Sequence, residues 1–152
     1  MAKAVSVEEL KGYIGKEIGV SDWLEIKQDR INAFADCTED HQWIHVDQEK
    51  AKQGPFGTTI AHGYLTLSLL PYFGYQNKIT PSGTKMTINY GLNRLRFINP
   101  VPVGSRVRNR AVLKELTDKG EGRILMVTES TIEIEGQDKP AMVAETLSML
   151  FL

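Results

Sequence analysis

The most apolar stretch of the chain, IAHGYLTLSLLPYFG at 60–74, has no polar face. Leu65, Leu67, Leu69, Leu70, Tyr72 and Phe73 point in every helical direction, with Ala61, Gly63, Thr66 and Ser68 as the small residues among them. A helix that is apolar all round is a buried helix. This one is shorter than the ~18 apolar residues of a membrane span, so the pattern predicts a long helix buried in protein. Pro71 is expected to kink or end it.

Beyond residue 84 the period changes to two. Met86, Ile88, Tyr90 and Leu92 share one face of a strand, and Leu95 and Phe97 follow on the other parity. That switch predicts a bulge or strong twist at 91–94. Pro100 to Gly104 reads as a turn. Arg106, Arg108 and Arg110 then alternate with Val107, Asn109, Ala111 and Leu113, a half-buried strand with a basic outer row. Turns at 118–122 and 136–140 lead into strands at 123–135 and 141–152. Four long strands joined by short turns predict an antiparallel meander. The simplest packing lays the helix along one face of this curved sheet, an α+β layer in a single domain over 1–152. The sheet's other face or edge needs cover, which predicts a homodimer.

The first half supplies shorter elements. Ser6 and Glu9 form a capping box ahead of a short helix ended near Gly15. Residues 17–26 have strand character with a turn near Ser21 and Asp22. A helix is expected over 28–37, with Ile31, Phe34 and Ala35 on one stripe and Asp29 in the first turn. Another short helix is expected at 46–51, capped by Asp47.

Charge removes some classes of function. Eighteen basic residues against nineteen acidic ones give a formal charge of −1, so no global field favours nucleic acid or a membrane surface. The single Cys37 cannot form an internal disulfide, which suits a reducing cytoplasm. It reads as a small buried helix residue rather than a nucleophile. No secretory leader is expected, because the N-terminus lacks a charged start followed by an apolar run. No GxGxxG follows a strand, which disfavours a dinucleotide enzyme.

Candidate chemistry is concentrated at 38–70. All three histidines, His41, His45 and His62, fall there, beside Asp40 and the Gly63 that opens the apolar helix. Taken singly, Asp40 suits a cap and His45 a satisfied core histidine. A carboxylate and an imidazole on one loop can also share one water, and positioned proton transfer of this kind contributes ~10²–10⁴-fold in rate. The Gly63 amide, in the first turn of a helix, is a ready donor to a developing oxyanion. His41 and His45 stand at i and i+4, with His62 or Asp40 as a third candidate ligand, but the glutamate of a HExxH motif is missing. No metal is therefore expected. His41 is expected to be exposed, and His62 to hold the loop before the helix.

Thr38-Glu39-Asp40-His41-Gln42-Trp43-Ile44-His45, followed by His62-Gly63 and by NRLRFINPVPVG at 93–104, resembles the MaoC-like dehydratases and (R)-specific enoyl-CoA hydratases. Gln42 stands where that family's signature has Asn, and Trp43 where it usually has Pro. The resemblance implies a hotdog fold, with a long central helix wrapped by a curved antiparallel sheet. It implies (R)-specific hydration of 2-enoyl thioesters, or the reverse dehydration of 3-hydroxyacyl thioesters, in fatty-acid metabolism. Asp40 and His45 fall at its catalytic positions. The Gly63 backbone amide would bind the thioester oxygen, and Gln42 would contact substrate. No cofactor is implied; a coenzyme A or carrier-protein thioester is the substrate. The competing reading is a hotdog thioesterase or a non-catalytic acyl-thioester-binding module. For the arginine row, a solvated strand face is preferred to contact with coenzyme A phosphates.

Overall fold

The computed structural model describes residues 2–152. Its centre is an antiparallel sheet of long strands, β5 (Met86–Phe97), β6 (Arg106–Gly120), β7 (Arg123–Ile134) and β8 (Met142–Phe151). The shorter β2 (Glu17–Val20) and β3 (Leu24–Glu25) both pair with β6. Strand order is β2-β6-β7-β8-β5. The expected four-strand meander is therefore a three-strand meander, β6-β7-β8, with β5 on the far side of β8.

The segment between β5 and β6 explains the difference. Pro100 and Pro102 have no amide to donate to a ladder. The surrounding amides are used elsewhere: Val103 N–H donates to the Thr59 carbonyl at 2.9 Å, and Ala61 N–H to Val101 at 2.8 Å. The segment is tied to residues 59–61 and crosses the end of the sheet instead of turning back. The predicted irregularity in β5 is present, with register shifts between Asn89 and Gly91 and between Leu92 and Arg94.

Around the sheet lie α1 (Val7–Lys11), α2 (Gln28–Thr38), α3 (Trp43–Val46), α4 (Gln48–Lys52), α5 (Gly63–Ser68) and α6 (Leu70–Gly74). The Ser6–Glu9 capping box opens α1, and Asp47 caps α4 through the Lys50 amide at 3.0 Å. A further pairing, β1 (Lys3–Val5) parallel to β4 (Ile79–Pro81), went unpredicted, since neither stretch alternates.

The long buried helix at 60–74 is corrected in two respects. It is two short helices, α5 and α6, meeting at Leu69. Pro71 lacks the amide that would bond Leu67, and its ring crowds that carbonyl. Nor is the segment buried all round. Leu65, Leu69 and Phe73 form one buried stripe against Ile132, Ala141 and Ala144 of the sheet side, while Tyr64 and Tyr72 are 66% and 48% exposed. Tyrosine carries an apolar ring and a hydroxyl that prefers water, so counting it as apolar overstated burial.

On the sheet's outer face, the arginine row meets carboxylates across the strands. Arg106 bonds Glu135 at 2.9 Å, Arg108 bonds Glu133 at 2.6 Å, and Arg110 bonds both Glu133 and Glu17. Arg108 also lies over the Trp23 ring at 4.3 Å. Where a solvated face was expected, the row is ion-paired, with Arg106 exposed and Arg108 and Arg110 half-buried. Cys37 is exposed on α2, contrary to the buried position expected. It lies off the stripe formed by Ile31 and Ala35.

Candidate active site

Helix α2 ends because Glu39 adopts the left-handed conformation, φ 62°, reversing the chain after Thr38. Asp40 follows on the turn, exposed, with a long 3.4 Å contact from the Gln42 amide to its carboxylate. Gln42 caps α3, and its own side chain stays exposed and makes no capping bond. Helix α3 then brings His45 inward, where only 7% of its surface is exposed.

The ring states follow from hydrogen-bond chemistry. His45 Nδ1 lies 2.7 Å from the Ile60 carbonyl. A carbonyl can only accept, so Nδ1 carries the hydrogen and Nε2 is left as a bare lone pair. His62 Nε2 lies 2.9 Å from the Asp40 main-chain carbonyl and donates by the same reasoning. His62 thus holds the loop, as expected. The two rings stack, centroids 3.9 Å apart and 23° between planes. One carboxylate oxygen of Asp40 and one ring nitrogen each of His45 and His62 lie within 4.8 Å of one another. His62 Nδ1 is buried with no partner among the described residues.

Burial pushes the His45 imidazole below its ordinary value of 6.5, and the neighbouring His62 pushes the same way; the Ile60 carbonyl and Asp40 act against them. The result is a neutral imidazole at physiological pH with an available acceptor. His41 sits apart, bonded to Asp36 at 2.9 Å and exposed as expected. Its i, i+4 partnership with His45 does not form.

Gly63 is the first residue of α5, where an amide has no partner within the helix. A Cβ there would meet three atoms of the Phe97 ring at 3.1 Å. The close approach that demands glycine in this structure comes from Phe97. The helix behind Gly63 is only one short segment, so the amide itself, rather than a long macrodipole, is the donor on offer. Gly63 lines a cleft of about 280 Å³ together with Ile60, Ala61, Thr66, Phe97 and Val101. Trp43 does not enter this cleft: its ring packs on Gly54 and under Lys50.

Sequence reasoning missed three contributors. The Ile60 carbonyl is backbone chemistry that every residue possesses. Phe97 read as one more apolar strand residue. Gln28 read only as the start of a helix, yet it bonds the His45 carbonyl at 2.8 Å.

The MaoC like domain family model matches residues 9–136. The chain is 53% identical over 142 residues to 3-hydroxyacyl-thioester dehydratase Z of Mycobacterium tuberculosis, covering 93% of each protein. It is 43% identical over 147 residues to nodulation protein N of Rhizobium leguminosarum bv. viciae, covering 96% of this chain and 91% of that one. Among solved structures, the (R)-hydratase from A. caviae involved in PHA biosynthesis superposes with a TM-score of 0.72 at 24% identity, over 89% of this chain and 94% of that one. The matched region takes in most of the chain, and the sheet and helices form a hotdog layer: the chain belongs to the MaoC-like domain family.

Proposed function

We propose that this protein adds water to 2-enoyl thioesters, and in reverse dehydrates 3-hydroxyacyl thioesters. The observation that carries the reading is the meeting of the Asp40 carboxylate with the imidazole of His45, whose Nε2 is free to accept. One water has two O–H donors, and these are two acceptors placed to take them. In the hydration direction Asp40 removes a proton from the water as its oxygen bonds to the β-carbon of the enoyl group. His45 orients that water through Nε2, and the proton taken up by Asp40 moves to Nε2 and from there to the α-carbon, so that both side chains end in their starting protonation states. Negative charge gathers on the thioester oxygen in the transition state, and the Gly63 amide is the proposed donor to it; such a donor is worth about 3–4 kcal/mol. Gln42, exposed at the start of α3, is proposed to touch the substrate's outer part.

The (R) stereochemistry is proposed from the family signature and the hydratase likeness. A metal-free, cofactor-free reaction is proposed because a carboxylate, an imidazole and an amide supply every proton and charge contact the step needs. No helix among the described residues is long and apolar enough to cross a membrane. A cytoplasmic setting is proposed from the single cysteine. A homodimer is proposed from β5, an edge strand whose Ile88, Tyr90 and Leu92 lie open to solvent.

The test follows two signals on a short 2-enoyl coenzyme A: loss of the conjugated enoyl absorbance and release of free thiol. Loss of absorbance without thiol is the expected result. Thiol release without hydration would make the protein a thioesterase, and neither signal would leave a binding module.

A further inference from the structure

His45 is held at two points, and the two are joined behind it. Its ring donates to the Ile60 carbonyl at 2.7 Å. Its main-chain carbonyl accepts from Gln28 Nε2 at 2.8 Å. Gln28 Oε1 in turn accepts from the hydroxyl of Thr59, the residue before Ile60. Thr59 is 1% exposed, so its hydroxyl has no competing route to water. The contacts close a ring: His45 imidazole, Ile60, Thr59, Gln28, His45 backbone. The strand-like 59–61 segment is pinned further by Ile60 N–H to the Ile44 carbonyl at 3.0 Å.

The orientation of the Gln28 amide follows from its neighbours. A hydroxyl donates to Oε1, and a carbonyl must be met by the NH2 group. The second hydrogen of Nε2 goes to Asn32 Oδ1 at 2.9 Å. Gln28 therefore makes two donor contacts and one acceptor contact, a combination that no carboxylate, ammonium or thioether reproduces at that length. Residue 28 is also the first of α2, the helix whose other end delivers Asp40. One side chain thus ties the acid's helix to the imidazole's helix and to the loop that sets the imidazole's tautomer.

We propose that Gln28 is a positioning residue for His45, fixing its Nδ1–H tautomer and ring orientation by holding Thr59 and Ile60 against α3. For catalysis this rests on the hydratase reading, since only there must Nε2 stay bare and aimed at the water. Positioning errors of about 1 Å can lower a rate by ~100-fold.

The test uses Gln28→Met, which keeps length and loses all three polar contacts, and Thr59→Val, which keeps shape and removes the hydroxyl. Folding of each is checked by circular dichroism. Imidazole ¹⁵N NMR above the ordinary histidine pKa reads the His45 tautomer directly. The wild-type protein is expected to show one tautomer, with Nδ1 protonated. Gln28→Met is expected to show a mixture, with kcat lowered about tenfold to 100-fold and KM changed less than about twofold. Thr59→Val is expected to shift both in the same direction and by less. A single unchanged tautomer in the folded variants overturns the proposal, whatever happens to the rate. Should Gln28→Met fail to fold, Thr59→Val decides by the same reading. A wild-type protein without hydratase activity would defeat the catalytic reading, while the tautomer spectrum still decides what Gln28 does.

Discussion

His45 carries the clearest electrostatic consequence at the scale of single residues. Burial lowers its pKa from 6.5, and the nearby His62 adds to the effect. An unfolded His45 takes up its proton near the ordinary value; the folded one does so only at lower pH. Between those two values the unfolded state binds more protons, so stability falls as pH drops through that window. The contribution is fully present above 6.5. Thermal midpoints measured from about pH 7 down to about pH 5 should therefore fall in the wild type, and should fall less steeply in His45→Gln. Equal slopes would mean that His45 does not titrate abnormally. Asp40 and His45 were legible in the sequence because their types carry the chemistry. The Ile60 carbonyl, the His62 stack and Gln28 were not. A main-chain oxygen has no sequence signature, and a stack depends on two loops meeting.

Among elements, the turn into the site carries backbone strain. Glu39 holds φ 62° at the end of α2, a place where glycine is the usual residue. A residue with a Cβ is penalised there, while glycine loses more freedom on folding. The net expectation is that Glu39→Gly stabilises the fold by up to about 1 kcal/mol, read as a shift in the denaturation midpoint at unchanged slope. A destabilised variant would show that the Glu39 side chain makes contacts that outweigh its conformation. Capping signals served the sequence reading well, as Ser6, Glu9 and Asp47 demonstrate. The helix at 60–74 served it less well. Pro71 and the tyrosines divide into two half-buried segments what an apolar count treated as one.

For the whole molecule, the strand order and the exposed edge belong together. With β5 beside β8 instead of β6, an apolar strand lies at the border of the sheet. Ile88 is 45% exposed there and Tyr90 62% exposed. Unpaired strand edges invite pairing with another chain. Sedimentation of the wild type should give twice the chain mass of 17.0 kDa, and Ile88→Lys should return it toward one chain. A wild-type monomer would leave that edge unexplained. The layer of helices on a curved sheet was legible from the two periodicities. The strand order was not, because it depends on where a proline-containing connection finds its hydrogen bonds.

The proposed reaction turns on one water shared between Asp40 and His45. Its most direct test is the hydration rate of a short 2-enoyl coenzyme A with Asp40→Asn and His45→Gln beside the wild type. Both variants keep near-native shape and lose an acceptor or its basicity. Each should lower kcat by ~10²–10⁴-fold, the range for positioned proton transfer, with the fold intact by circular dichroism. Wild-type rates in both folded variants would contradict the claim.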